Sequence, residues 1–142
     1  MADEVSSGVV TFLEREQLYV ILLNHGHFLS HPKGHVEEGE DYRQAAIREL
    51  KEETNLELQE MSGSVIESIT YTFQSHNKDE GLVEKTVHFF AGIAKDTNKI
   101  ETSFEHEGYK LVLASKAHDR ITFDGDQEAF DAALHWYYHK DQ

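Results

Sequence analysis

The chain has 142 residues, 39% hydrophobic and 28% charged, the ordinary balance of a globular protein with enough residues for a real core. Its net charge of −14, with 13 scattered lysines and arginines, makes a long nucleic acid a poor partner and also serves solubility. With no cysteine, no basic secretory leader in MADEVSSGVV and no apolar run near the roughly 18 residues of a membrane span, disulfide and thiolate chemistry are excluded and a cytoplasmic protein is expected.

Residues 8–14, GVVTFLE, and 17–23, QLYVILL, read as two strands around a short turn. Residues 24–31 read as loop or irregular strand, and Pro32, the one proline, opens the glycine-containing loop PKGHVEEGE. Asp41 can cap a helix over 42–54, with Gln44 as the return partner of a capping box. Asn55 can stop that helix in left-handed geometry, and Leu56 can pack back on the core. Strands follow around 65–73 and 83–94, separated by the polar loop QSHNKDEG. ETSFEHEGYKLVLAS reads as an exposed loop returning to a strand. Phe130, Ala133, Leu134 and Tyr137 repeat at helical spacing, which predicts a terminal helix that Asp124 could cap. With no repeat, low-complexity tract or linker, residues 1–142 are expected to form a single domain, a mixed sheet with helices on its faces.

Seven acidic side chains fall between Glu37 and Glu53. Taking Glu49 as the origin, Ala46, Leu50 and Ile47 lie near 60, 100 and 160 degrees at about 100 degrees per residue. Glu49, Glu52 and Glu53 span an arc of about 100 degrees beside them. Such an arc is either a solvated face or a cradle for a divalent ion. Mg²⁺ favours oxygen ligands and binds substrate phosphates through a few carboxylates, so the second reading points to phosphate chemistry. Gly34 allows close approach and offers a backbone carbonyl. Lys33 could meet a phosphate or offset the acids. Glu40 could accept a hydrogen bond from Arg48, which would set the helix against the loop.

The stretch from Gly34 to Leu56 resembles the Nudix box: Gly34, Glu40, Arg48–Glu49, Leu50, the pair Glu52 and Glu53, and Leu56 fill its positions. Asn55 departs from the glycine that the family usually has there, a modest change because asparagine tolerates positive φ. The resemblance implies a Nudix-type α/β/α sandwich, a mixed β-sheet with a loop–helix–loop catalytic box, that hydrolyses phosphoric anhydride bonds of a nucleoside diphosphate derivative. It implies Mg²⁺, with Mn²⁺ as an alternative, held by Glu49, Glu52, Glu53 and the Gly34 backbone, with Glu40 and Arg48 in support. It also places Arg48, Glu52 and Glu53 in the catalytic machinery.

Outside the box, PKGHVEEGE, KTVHFFAG, SFEHEGY and DGDQEAFDAALHWY are similar to the diadenosine polyphosphate hydrolase branch. That likeness implies asymmetric cleavage of a small dinucleoside polyphosphate, diadenosine tetraphosphate giving ATP and AMP. It adds Glu105 as a further metal ligand or base, and Lys85 as a phosphate contact or else an edge-strand lysine. Tyr71, Phe73 and Tyr109 could stack on a base or pack in the core. His35 could touch phosphate. The cluster of His25, His27, His31 and His35, with His106 later, matches no zinc spacing and reads as structural or surface histidine. Alternatives are a Nudix enzyme acting on RNA 5′ triphosphate ends, nucleoside triphosphates or nucleotide sugars, and a non-catalytic nucleotide-binding domain. No membrane partner is expected; oligomeric state is left open, a monomer being compatible with the sequence.

Overall fold

A computed structural model describes residues 2–76, 79, 81–97, 99–102 and 108–142. Its first strand, β1, runs Ala2–Glu14, six residues earlier than the hydrophobic pattern indicates. The polar start EVSS gives no strand signal. Tertiary pairing decides it: β1 lies parallel to β7, Leu82–Ala94, from Ala2 opposite Val83 to Phe12 opposite Ile93. Ser6 and Ser7 are consequently fully buried, and Ser7 Oγ donates to the Tyr42 carbonyl at 2.6 Å.

The expected hairpin forms between β1 and β2, Leu18–Asn24, with Phe12 opposite Val20. Two short strands follow: β3 at Leu29–Ser30, within the stretch that reads as loop or irregular strand, and β4 at Lys33–His35, within the glycine-containing loop. β4 pairs antiparallel to β1, with Lys33 opposite Gly8 and His35 opposite Ser6. This lays the opening of the box alongside a buried strand.

Helix α1 spans Tyr42–Thr54 with its capping box made: the Gln44 amide donates to Asp41 Oδ1 at 2.7 Å, and the Asp41 amide donates to Gln44 Oε1 at 2.9 Å. Asn55 ends it at φ 66°, its amide donating to the Lys51 carbonyl. Ala45, Ala46, Leu50 and Thr54 are its buried residues. Ile47, expected on the apolar side, is 43% exposed. The buried stripe is centred nearer the glutamates, so Ile47 falls beyond its far edge.

β5, Leu58–Met61, is a short addition that the sequence does not announce; β6, Glu67–Gln74, and β7 follow the expected strands. β7 pairs with β6 over its first part and β5 at its end. Lys85 is therefore flanked by Glu4 on β1 and Tyr71 on β6, so the edge-strand reading of this lysine does not hold. β8, Tyr109–Leu113, pairs with β2, and α2, Ala114–Ala117, leads through a 3₁₀ turn, His118–Arg120, to α3, Asp124–His139. Phe123 holds the cap position of α3 without a side-chain cap bond, and Asp124 is the first helical residue instead of the cap.

Alternation along the strands sends side chains to two cores. Val9, Leu13, Ile21 and Phe90 pack with Ala46, Leu50 and Leu56 on the α1 face. Val10, Phe12, Leu22, Phe89 and Ile93 pack with Ala129, Phe130 and Ala133 on the α3 face, with Leu134 and Tyr137 against them. The result is a mixed sheet between helices, the expected α/β/α architecture. Among the described residues, no helix is long and apolar enough to cross a membrane.

Candidate active site

Arg48 organises the box. Its Nε donates to Glu40 Oε2 at 2.7 Å and its Nη2 to Glu40 Oε1 at 2.9 Å, a two-pronged pair. Nη2 also donates to the His35 carbonyl at 3.0 Å, tying helix to β4. Nη1 donates to Glu49 Oε1 at 2.9 Å and to Glu52 Oε2 at 3.3 Å. The Arg48 hydrogen bonds, helped by the Glu37 amide, hold the Glu40 carboxyl down at about 2. Glu40 thus keeps its charge and anchors the guanidinium, and the acids on the helix sit around a fixed cation.

Glu49 and Glu53 do not form a solvated face. The Glu49 side chain is 16% exposed, and burial, then the charge of Glu49, pushes Glu53 up to about 8 against the opposing Lys33. Glu52, 58% exposed, stands at the rim. The Glu49 carboxylate lies against Gly34, in the space that any Cβ there would need. Only glycine permits that approach, and φ plays no part in it. With Lys33, His35 and Lys85, these residues line an open cleft of about 390 Å³. Lys85 is half-buried in it, and burial, then the Lys33 charge, lowers its pKa. His35 Nε2 lies 3.6 Å from Glu4 Oε1.

The donor set is made of hard oxygens, two of them on partly buried carboxylates whose mutual repulsion a divalent cation would relieve. In chemistry it fits Mg²⁺ or Mn²⁺. Among the described residues, no three of the acids and histidines already stand as a closed ligand set. Arg48 occupies oxygens of Glu49 and Glu52 instead, so those carboxylates would turn to receive an ion.

A second cleft, about 500 Å³ and largely apolar, adjoins the first at Lys33, which lines both. Its walls include Tyr71, Phe28 and Phe123, with Phe28 and Phe123 5.2 Å apart, ring to ring. Phe73 stands 6.2 Å from Tyr71 and outside that lining. Tyr109 is on β8 opposite Leu23, outside the lining of either cleft. Glu105 and His106 lie outside the described residues. His31 is buried and joins Asp126, His25 stacks on Phe28, and His27 is exposed; among the described residues the histidines form no metal site.

Ser6, Phe28, Phe123 and Asp126 line these clefts without having been marked by sequence reasoning. Phe123 carried a signal, an aromatic residue between polar neighbours at a helix start. Ser6 carried none, since its place depends on the long pairing of β1 with β7.

The NUDIX domain family matches residues 3–134. Over 84 residues, 59% of this chain, the sequence is 32% identical to a bis(5′-nucleosyl)-tetraphosphatase [asymmetrical] of Caenorhabditis elegans. Over 92 residues, 64% of the chain, it is 33% identical to the protein of that name from Mus musculus. The matched stretches span 57% and 59% of those relatives' lengths. The crystal structure of a C. elegans Ap4A hydrolase binary complex superposes with a TM-score of 0.74 at 23% identity, covering 95% of this chain and 98% of that one, a likeness of fold. The extent of the family match and the box built around Arg48 agree: the chain belongs to the Nudix hydrolase family.

Proposed function

We propose that the chain hydrolyses a bis(5′-nucleosyl) tetraphosphate asymmetrically, releasing a nucleoside triphosphate and a nucleoside monophosphate, ATP and AMP where both bases are adenine. The observation that carries this reading is the junction at Lys33 of an acidic cleft and an aromatic one. A polyphosphate needs oxygen-rich groups with compensating cations, and a base needs flat apolar walls. The names of the two curated relatives support the asymmetric cut.

Lys33 and Lys85 offset phosphate charge from the mouth of the acidic cleft, and Tyr71 and Phe123 hold the base. His35 completes the wall toward Glu4. Glu49, Glu52, Glu53 and the Gly34 carbonyl would hold the divalent ion on which Nudix hydrolases generally depend, with Glu105 a further ligand or base. When bound, that ion polarises the phosphoryl group and offsets charge developing on its oxygens. Arg48 holds Glu49 and Glu52 beside the cleft, from where their carboxylates would turn to receive the ion. Glu52 or Glu53, both lining the cleft, takes the attacking water's proton. In balance, water adds its oxygen to phosphorus, the anhydride oxygen leaves with the nucleotide product, and the proton passes to a carboxylate. Residues 1–142 act as one domain on a small nucleotide in the cytoplasm.

Product-resolved assays of diadenosine tetraphosphate with and without Mg²⁺ test the reading. ATP plus AMP, formed only with the metal and reduced at least about 100-fold in Glu53→Gln and Glu52→Gln at nearly unchanged melting temperature, is the expected result. No turnover of the tetraphosphate, with rapid release of pyrophosphate from triphosphorylated RNA, would replace it with the RNA-end reaction. Tight nucleotide binding without turnover of any substrate would leave a binding domain.

A further inference from the structure

The apolar cleft has one feature that stacking on a base does not use. Asp126, in the first turn of α3, lines it among Phe28, Tyr71 and Phe123 and is 7% exposed. Its backbone carbonyl accepts from His31 Nε2 at 3.0 Å, but among the described residues its carboxylate accepts no hydrogen bond. Neither of its carboxylate oxygens is among the sealed, unpartnered atoms, so the carboxylate opens on the cleft, where an incoming donor can reach it. A helix-dipole role is available to an acid at the surface of a first turn, where Asp124 already sits. A carboxylate that lines an aromatic slot, open to it and with no donor among the described residues, is matched to a ligand that brings its own donors.

The chemistry of the acceptor then selects the base. An ionised carboxylate only accepts. Guanine presents two adjacent donors on one edge, the ring N1–H and the N2 amino group, which a carboxylate can receive as a pair. Adenine presents one amino donor beside an acceptor nitrogen, whose lone pair would face the carboxylate. Hypoxanthine keeps N1–H and lacks the amino group.

We infer that Asp126 makes this cleft a guanine-reading subsite, so that the chain prefers guanosine over adenosine nucleotides. The inference deepens the hydrolase reading above and rests on it for the placement of a base beside Lys33. Asp126 here is a specificity residue, and the acidic cleft performs the same reaction on either base.

The test separates base reading from turnover. The full chain is titrated calorimetrically with GMP, IMP and AMP, and kcat/KM is measured with Mg²⁺ for diguanosine and diadenosine tetraphosphates. GMP should bind about tenfold or more tighter than AMP, with IMP between them, and the kcat/KM ratio should follow. Asp126→Asn keeps the shape but offers one acceptor and one donor, the complement of adenine, so the GMP:AMP preference should fall to unity or reverse. Thermal unfolding verifies that this variant is folded, and the comparison of three bases on the unaltered chain needs no variant. Equal affinities for the three monophosphates, no binding of any, or an unchanged preference in folded Asp126→Asn would each overturn the inference. Discriminating binding with no turnover of either tetraphosphate would sink the hydrolase reading and leave the guanine subsite. Turnover of both at equal efficiency would do the opposite.

Discussion

Gly34→Ala isolates the fit between the loop and the acidic helix. The new Cβ would overlap the Glu49 carboxyl carbon and both its oxygens, far inside the 3.4 Å at which ordinary contact begins. The obstructing atoms are the end of a flexible side chain, so Glu49 yields and the backbone stays. Retreat breaks the 2.9 Å bond from Arg48 Nη1 to Glu49 Oε1. Both side chains remain slightly exposed, which discounts the loss to about 1–2 kcal/mol. For a chain of this length that is a fall in melting temperature of about 3–6 °C. Function should suffer more. A carboxylate displaced by about an ångström or more from its working position costs on the order of 100-fold in turnover. Calorimetric unfolding and kcat/KM on the tetraphosphate measure the two effects, and a cycle with Glu49→Ala assigns them, because without the carboxylate the added methyl group meets nothing at that point. Parent-like turnover in Gly34→Ala would refute the reasoning. So would an activity loss of equal size in the Glu49→Ala background.

Three further outcomes are expected. Lys85→Ala should raise KM for the tetraphosphate about tenfold while leaving divalent-ion affinity unchanged, since it removes a half-buried charge that contacts no acid of the box; unaltered kinetics would take Lys85 out of the phosphate site. At Asn55, Asn55→Gly relieves about 1 kcal/mol of positive-φ cost but loses the 2.8 Å bond from Nδ2 to the Lys99 carbonyl, about equal in size, so stability should change by less than about 1 kcal/mol. Asn55→Ala keeps the cost and loses the bond, so it should be the less stable of the two by chemical denaturation; the reverse order would contradict the left-handed cap. His31 is buried and its pKa lies below 6.5, chiefly through desolvation, so its contribution is present above the unfolded-state value and is lost as pH falls below it. Between pH 7 and 5.5 the stability of the parent should therefore fall more steeply than that of His31→Gln, by up to about 1.4 kcal/mol per pH unit, and parallel curves would show that His31 protonates freely in the fold.

The parts of the site legible in sequence are the local ones. Capping by Asp41 and Gln44, the stop at Asn55 and the spacing of Glu49, Glu52 and Glu53 all follow from residues within one or two helical turns, where geometry is fixed by the helix itself. The bond from Arg48 to Glu40 spans eight positions and was legible because both belong to one recognisable pattern. The two cores were legible in part, since strand alternation shows that both faces are apolar without showing which helix covers each.

Everything that joins distant segments waited for the tertiary structure. Burial of Ser6 comes from parallel pairing with a strand some eighty positions away. Lys85 lost its edge-strand reading because β6 and β1 enclose β7, and Tyr109 was carried outside both cleft linings by pairing with β2. Phe28, Tyr71 and Asp126 come from three separated stretches and make a slot only when β6 and the start of α3 close on the loop before β3. The sequence by itself determined that an acidic helix follows a glycine loop, because backbone periodicity is a local property. The sheet alone decided that two of those acids turn inward and that an aromatic slot opens beside them, because burial and convergence belong to contacts between elements.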